Sequence, residues 1–134
     1  MKTKIENIKY VNDKIIVTCN LEIGQIKGVW RGKTPPVLNC ISYIELDIKN
    51  VNSNIEKSMY SNMHDATNVC CTFSEAYFKG ICEDCDGEVY YMRFMVDWLE
   101  MLDIEDFNYT ISVGDTVIFR ANIDDIGIYP YESY

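Results

Sequence analysis

The run CEDCDG at residues 82–87 has the sharpest chemical spacing in this chain. Cys82 and Cys85 form a C-x-x-C pair, half of a zinc knuckle, since two thiolates at that separation can reach one tetrahedral ion. The other two ligands would have to come from Cys70, Cys71 or His64, the single histidine, and adjacent cysteines rarely both reach one ion. The expectation is therefore a protein without metal or other cofactor, with Cys82 and Cys85 the first ligands to consider. A redox role would want a helix N-terminus to lower one thiol pKa, and this pair sits in a turn. Cys19 and Cys40 fall on apolar strand faces and read as small core hydrophobes.

Other candidate chemistry is sparse. Asp84, Asp86 and Glu88 have the flavour of a calcium loop, but Glu88 comes far too early to be the bidentate ligand at the twelfth position. His64 has Asp65 beside it, yet sequence neighbours do not make a dyad, and no serine or cysteine carries a nucleophile-elbow context. There is no glycine-rich phosphate loop. The chain reads as a binding protein rather than an enzyme.

What does stand out is charge. The 134 residues carry a net charge of −9, unevenly spread. Residues 1–67 hold nine Lys/Arg against seven Asp/Glu, a net of +2, while residues 68–134 hold three against fourteen, a net of −11. Such a second half repels a phosphate backbone, so direct nucleic-acid binding is not expected, and it attracts a basic partner. Asp97, Glu100, Asp103, Glu105 and Asp106 crowd near Trp98 and Phe107. An aromatic anchor with an acidic rim is the make-up of many interaction surfaces, and these residues are the candidate partner-binding site. A small inhibitor or immunity-type factor blocking a basic protein would use such a face.

The elements that would position these residues are strands. KIENIKYV and KIIVTCNL flank Asn12-Asp13, a hairpin signal, and Ile15, Val17, Cys19 and Leu21 alternate onto one face. Gly24, Gly28 and Gly32 interrupt the next stretch, and Pro35-Pro36 excludes a central strand there. CISYIELDIK alternates: Cys40, Ser42, Ile44, Leu46 and Ile48 against a wet face of Tyr43, Glu45, Asp47 and Lys49. Residues 50–68 are rich in Asn and Ser and predict a long polar loop. VCCTFSEAYFKGIC and EVYYMRFMVDW make a second hairpin turning at Asp86-Gly87, with Tyr90, Met92, Phe94, Val96 and Trp98 on one face. DWLEMLDIEDFN predicts a short helical turn or an irregular crossing. Val117, Phe119, Ala121 and Ile123, then Ile126 and Ile128, supply closing strands entered through Gly114-Asp115.

The expected fold is a single all-β domain over residues 1–134, a small barrel or sandwich with less than ~15% helix, against about a third for ordinary domains. Phe94, Val96, Phe119 and Leu46 are expected in its core. No apolar run approaches the ~20 residues of a membrane span, and no apolar h-region follows the N-terminal MKTKIENIKYVNDK, so a cytoplasmic protein without membrane contact is expected.

GICEDCDGEVYYMRFMVDWLEMLD followed by ISVGDTVIFRANIDDIGIYP resembles a TOBE-type unit, the OB-like barrel domain attached to transport ATPases. Gly114, Asp115 and Val117 match that family's "G-D-x-V" strand, and Asp124-Asp125-Ile126 stands where the family has "Pro-Glu-x-Ile". The likeness covers about the last 60 residues, without the Ser-Ala-Arg-Asn segment of the oxyanion-binding members. It implies an OB-like topology and, as a second functional reading, a small-ligand or adaptor module.

Overall fold

A computed structural model describes residues 1–55 and 66–131. Strands take up 62% of these and helix 5%, as two single 3-10 turns among the described residues, well under the expected ceiling. In chain order the strands are β1 (Lys2–Val11), β2 (Lys14–Leu21), β3 (Gly24–Trp30), β4 (Ile41–Ile48), β5 (Asn68–Cys71), β6 (Glu75–Asp86), β7 (Val89–Met95), β8 (Trp98–Asp103), β9 (Thr116–Asn122) and β10 (Ile126–Pro130).

Five of them close a barrel. β1 pairs with β2, β2 with β3, β3 in parallel with β10, β10 with β4, and β4 returns to β1. The all-β, OB-like expectation holds, with the last strand closing the ring. Between β4 and β10 the chain builds a second unit on β6. β5 and β7 lie in tandem along one edge of β6, and β9 runs along the other. One continuous core joins both parts, from Val17, Cys19 and Ile26 in the barrel to Phe78, Phe94, Trp98 and Phe119 in the insert. The Asn12 turn has φ 54°, as its hairpin requires.

Several local expectations are corrected. Gly24 and Gly28 do not interrupt a strand; both lie within β3. Gly24 has φ +144° and lies where a Cβ would come 1.9 Å from the Val69 carbonyl oxygen, while at Gly28 a Cβ would come 2.8 Å from that of Ile126. These are close-approach positions inside a strand, not breaks. The stretch from Val69 to Cys82 is not one strand, because Thr72–Ser74 separate β5 from β6. Val96 is 98% exposed, because it occupies the two-residue turn between β7 and β8 after a register slip near Met95. Trp98–Asp103 is a strand with strictly alternating burial, and the 3-10 turn Ile104–Asp106 only follows it. Cys40 is exposed ahead of β4. Phe94 and Phe119 are buried as expected, and Leu46 is half-buried. In the predicted 50–68 loop, Val51 is buried and Asn52 exchanges two 2.8 Å backbone hydrogen bonds with Arg120. Asn68 already belongs to β5. Residues 56–65, with His64 and Asp65, lie outside the described residues.

Candidate functional site

β8 carries most of the predicted site. Its alternation sends Trp98, Glu100 and Leu102 inward and Leu99, Met101 and Asp103 outward. Trp98 is 2% exposed, stacked on Phe94 with centroids 4.5 Å apart and edge-on to Phe78. Phe107 is also buried, edge-on to Tyr90 and Phe119. Neither aromatic can anchor a partner at the surface, because each is held in the core by other rings. Of the acids, Asp97, Asp103 and Glu105 are exposed and Asp106 half-buried. Glu100 differs, since its inward position on β8 buries it with Trp98.

Glu100 is the one charged side chain in the core of the described residues. Its Oε1 accepts a 2.9 Å hydrogen bond from the Trp98 indole N–H, which explains how an inward glutamate is tolerated. Burial pushes its pKa up to about 7; the Trp98 bond pulls it down, and Asp47 and Glu45 raise it further. Burial, followed by Asp103 and Glu105, likewise raises Asp106.

Asp47 and Glu45 come from β4, in the net-basic half of the sequence. They face β8 across a cleft made of two cavities, about 340 and 420 Å³, whose linings share Asp47 and Met101. Six acids line it: Glu45 and Asp47 on one wall, Asp97, Glu100, Asp103 and Asp106 on the other. Its two cations are the Met1 ammonium, 3.9 Å from Asp97, and Lys49, 3.6 Å from Asp47. Exposed apolar surface comes from Leu99, Met101 and Tyr131, whose hydroxyl donates to Glu45 at 2.7 Å. The surface thus has its acidic rim, with Tyr131 and Met101 in place of the buried Trp98 and Phe107. The wet face of β4 was legible in its alternation; its meeting with β8 depends on tertiary packing and was not.

The cysteines do not assemble a site. Cys82 is buried, with its thiol pKa raised chiefly by burial, while Cys85 is exposed at the hairpin end. Burial lifts Cys19 to about 12 and Cys71 to about 11. Among the described residues no group of three or more His, Cys, Asp or Glu is placed to hold a metal ion.

A second concavity, about 440 Å³, lies on the outer face of β1, β2 and β3. Lys9, Lys27, Val11 and Ile16 line it, with Phe73 from the β5–β6 connection and Ile123 from the turn ahead of β10. Phe73 is 88% exposed, and the Lys9 ammonium lies 5.5 Å from its ring centroid.

No family model matches the chain, and no curated protein or solved structure shows significant similarity to it. No helix among the described residues is long and apolar enough to cross a membrane.

Proposed function

We propose that this chain is a small, acidic, cytoplasmic binding protein whose cleft captures a basic protein partner, in the manner of an inhibitor or immunity-type factor. The observation that carries this reading is the gathering of six carboxyl groups from two separate parts of the sequence around one cleft, against two local cations. Long-range attraction to such a site speeds encounter with a basic surface, and exposed Met101, Leu99 and Tyr131 supply the short-range contact area. The test is the association rate of the partner purified with the chain from its host, measured across ionic strengths. Asp47→Lys, Asp97→Lys and Asp103→Lys together should lower that rate by roughly 10–100-fold at low salt, with little change in thermal stability. An on-rate indifferent both to salt and to this triple reversal would remove the reading.

The second reading, an OB-like small-ligand or adaptor module as the TOBE likeness implies, draws on the groove of Lys9, Lys27 and Phe73. In OB-folds the face of strands 2 and 3, with the loops around it, is a ligand-binding surface. An anionic aromatic ligand that quenches or shifts groove resonances in a heteronuclear NMR titration, and leaves the cleft unmoved, would favour it over capture of a basic protein.

A further inference from the structure

Each residue of β8 from Trp98 to Asp103 lines the acidic cleft, and so does each residue of β4 from Ile44 to Ile48. A strand that touches a cavity with consecutive residues touches it with its edge, because a face would contribute only every second one. The ladders bear this out. The Ile104 N–H donates to the Glu88 carbonyl, which continues the β7–β8 register and fixes its phase. Leu102 and Glu100 then direct their backbone groups at β7, and Leu99, Met101 and Asp103 direct theirs away from it. On β4, Lys49 N–H donates to Asp125 and Tyr131 N–H donates to Tyr43, so odd-numbered residues face β10. Even-numbered ones face the opposite way, where Ile44 exchanges hydrogen bonds of 2.8 Å with Met1. Beyond Ile44 the β1 ladder has ended, and Leu46 and Ile48 have no strand beside them among the described residues. β4 and β8 are not paired with each other.

We propose that this slot is a strand-addition site: an extended segment of the basic partner lies between β4 and β8, hydrogen-bonded to both open edges. The inference rests on the reading of the cleft as the capture site for a basic protein and states how capture is made. Main-chain bonds on two sides supply affinity, and alternate side chains supply selection. One face of the added strand meets Leu46, Ile48 and Leu102, with Glu100 beside them, and calls for mainly apolar residues. The other meets Glu45, Asp47 and Asp103, with Leu99 and Met101 beside them, and calls for Lys or Arg, whose long apolar stems suit those neighbours. A second copy of this chain fits poorly, since its net charge is −9 and an inward acid such as Glu100 is among the devices that keep edge strands from pairing with themselves.

The probe is the synthetic peptide Lys-Val-Lys-Val-Lys-Val, as long as the six-residue β8, compared with its backbone N-methylated form of equal charge. Binding is followed by calorimetry and by NMR hydrogen exchange on the full chain. The expected result is slowed exchange at Leu46, Ile48, Leu99, Met101 and Asp103, and affinity weakened at least roughly tenfold by N-methylation. Met101→Pro, which deletes an outward N–H at an edge position where proline is tolerated, should weaken the unmodified peptide similarly while leaving the melting temperature nearly unchanged. Equal affinity for both peptides with unslowed exchange would overturn strand addition and leave charge-driven capture standing. No binding of either peptide would remove both. Slowed exchange at these amides without peptide, growing with protein concentration, would overturn it in favour of self-pairing.

Discussion

The acidic cleft and the Lys9–Phe73 groove lie on different strands of the barrel and are built in opposite ways. One of the cleft's six acids is rooted in the core: Glu100 is bonded to Trp98, and Trp98 stacks on Phe94. The groove's distinctive residues stand clear of the core, with Phe73 held over the barrel by the short connection between β5 and β6. A change at Glu100 or Trp98 is therefore felt by the whole fold, while the exposed acids of the cleft and the exposed ring of the groove can vary at little cost. Glu100 thereby has a fixed position on the cleft wall, set by its bond to Trp98.

The contrast also revises the meaning of the charge split. The +2 and −11 halves of the sequence do not correspond to halves of the molecule, because Glu45 and Asp47 of the first half complete the acidic wall with residues of the second. Lys9 and Lys27 of the first half instead line the groove, together with Asp124 of the second.

The largest effect expected is on the cleft's foundation. Phe94 is 2% exposed and contacts the rings of Phe78, Trp98 and Phe119. Phe94→Ala should cost ~3–5 kcal/mol in denaturant unfolding, from lost burial and the cavity left behind. Val96→Ala, two residues on but in an exposed turn, should stay within ~0.5 kcal/mol. A loss below about 1 kcal/mol at Phe94 would show that the cleft is not rooted in the aromatic core.

The next concerns pH. Burial lifts the Glu100 carboxyl from its ordinary 4.5 to about 7 in the folded chain. Between those values the unfolded chain sheds this proton more readily than the folded one, so Glu100 makes stability fall as pH rises from 4.5 to 7 and level off above. The span corresponds to about 3 kcal/mol at most, reduced by any relaxation of the site. Glu100→Gln keeps an acceptor for the Trp98 N–H and has no such slope. The variant should match the parent near pH 4 and exceed it at pH 8, in paired urea titrations. Parallel stability curves across that range would mean the carboxylate is solvated and the cleft floor open.

Strand identity was legible wherever one face is wet and the other dry, as in β2 and β4. It was obscured where a tertiary contact overrides the local signal. Gly24 and Gly28 read as breaks until Val69 and Ile126 are seen to occupy the space a side chain would need. Trp98, Met101 and Leu102 fit helical spacing, and only pairing with β7 selects the strand. For the site, the acids of β8 were readable as a cluster, but the inward turn of Glu100 and the opposing wall from β4 require the fold. Val96 continues the period of β7 in sequence, yet the turn takes it out of the sheet.

The smallest effect expected is at the groove, and it is the sharpest check on the contrast. Phe73 is 88% exposed, so truncating it removes almost no buried area, and its contact with Lys9 is the surface cation–π kind worth ~0.5–1 kcal/mol. Phe73→Ala should therefore shift stability by no more than about 1 kcal/mol, against several for Phe94→Ala, in the same unfolding assay. Capture of a basic partner at the cleft should be unaffected, because Phe73 is absent from that lining. Two results would break the contrast. A loss near that of Phe94 would place Phe73 within the structural core. A fall in partner association, with stability intact, would move recognition to the groove and make its exposed ring the anchor that Trp98 and Phe107, both buried, cannot be.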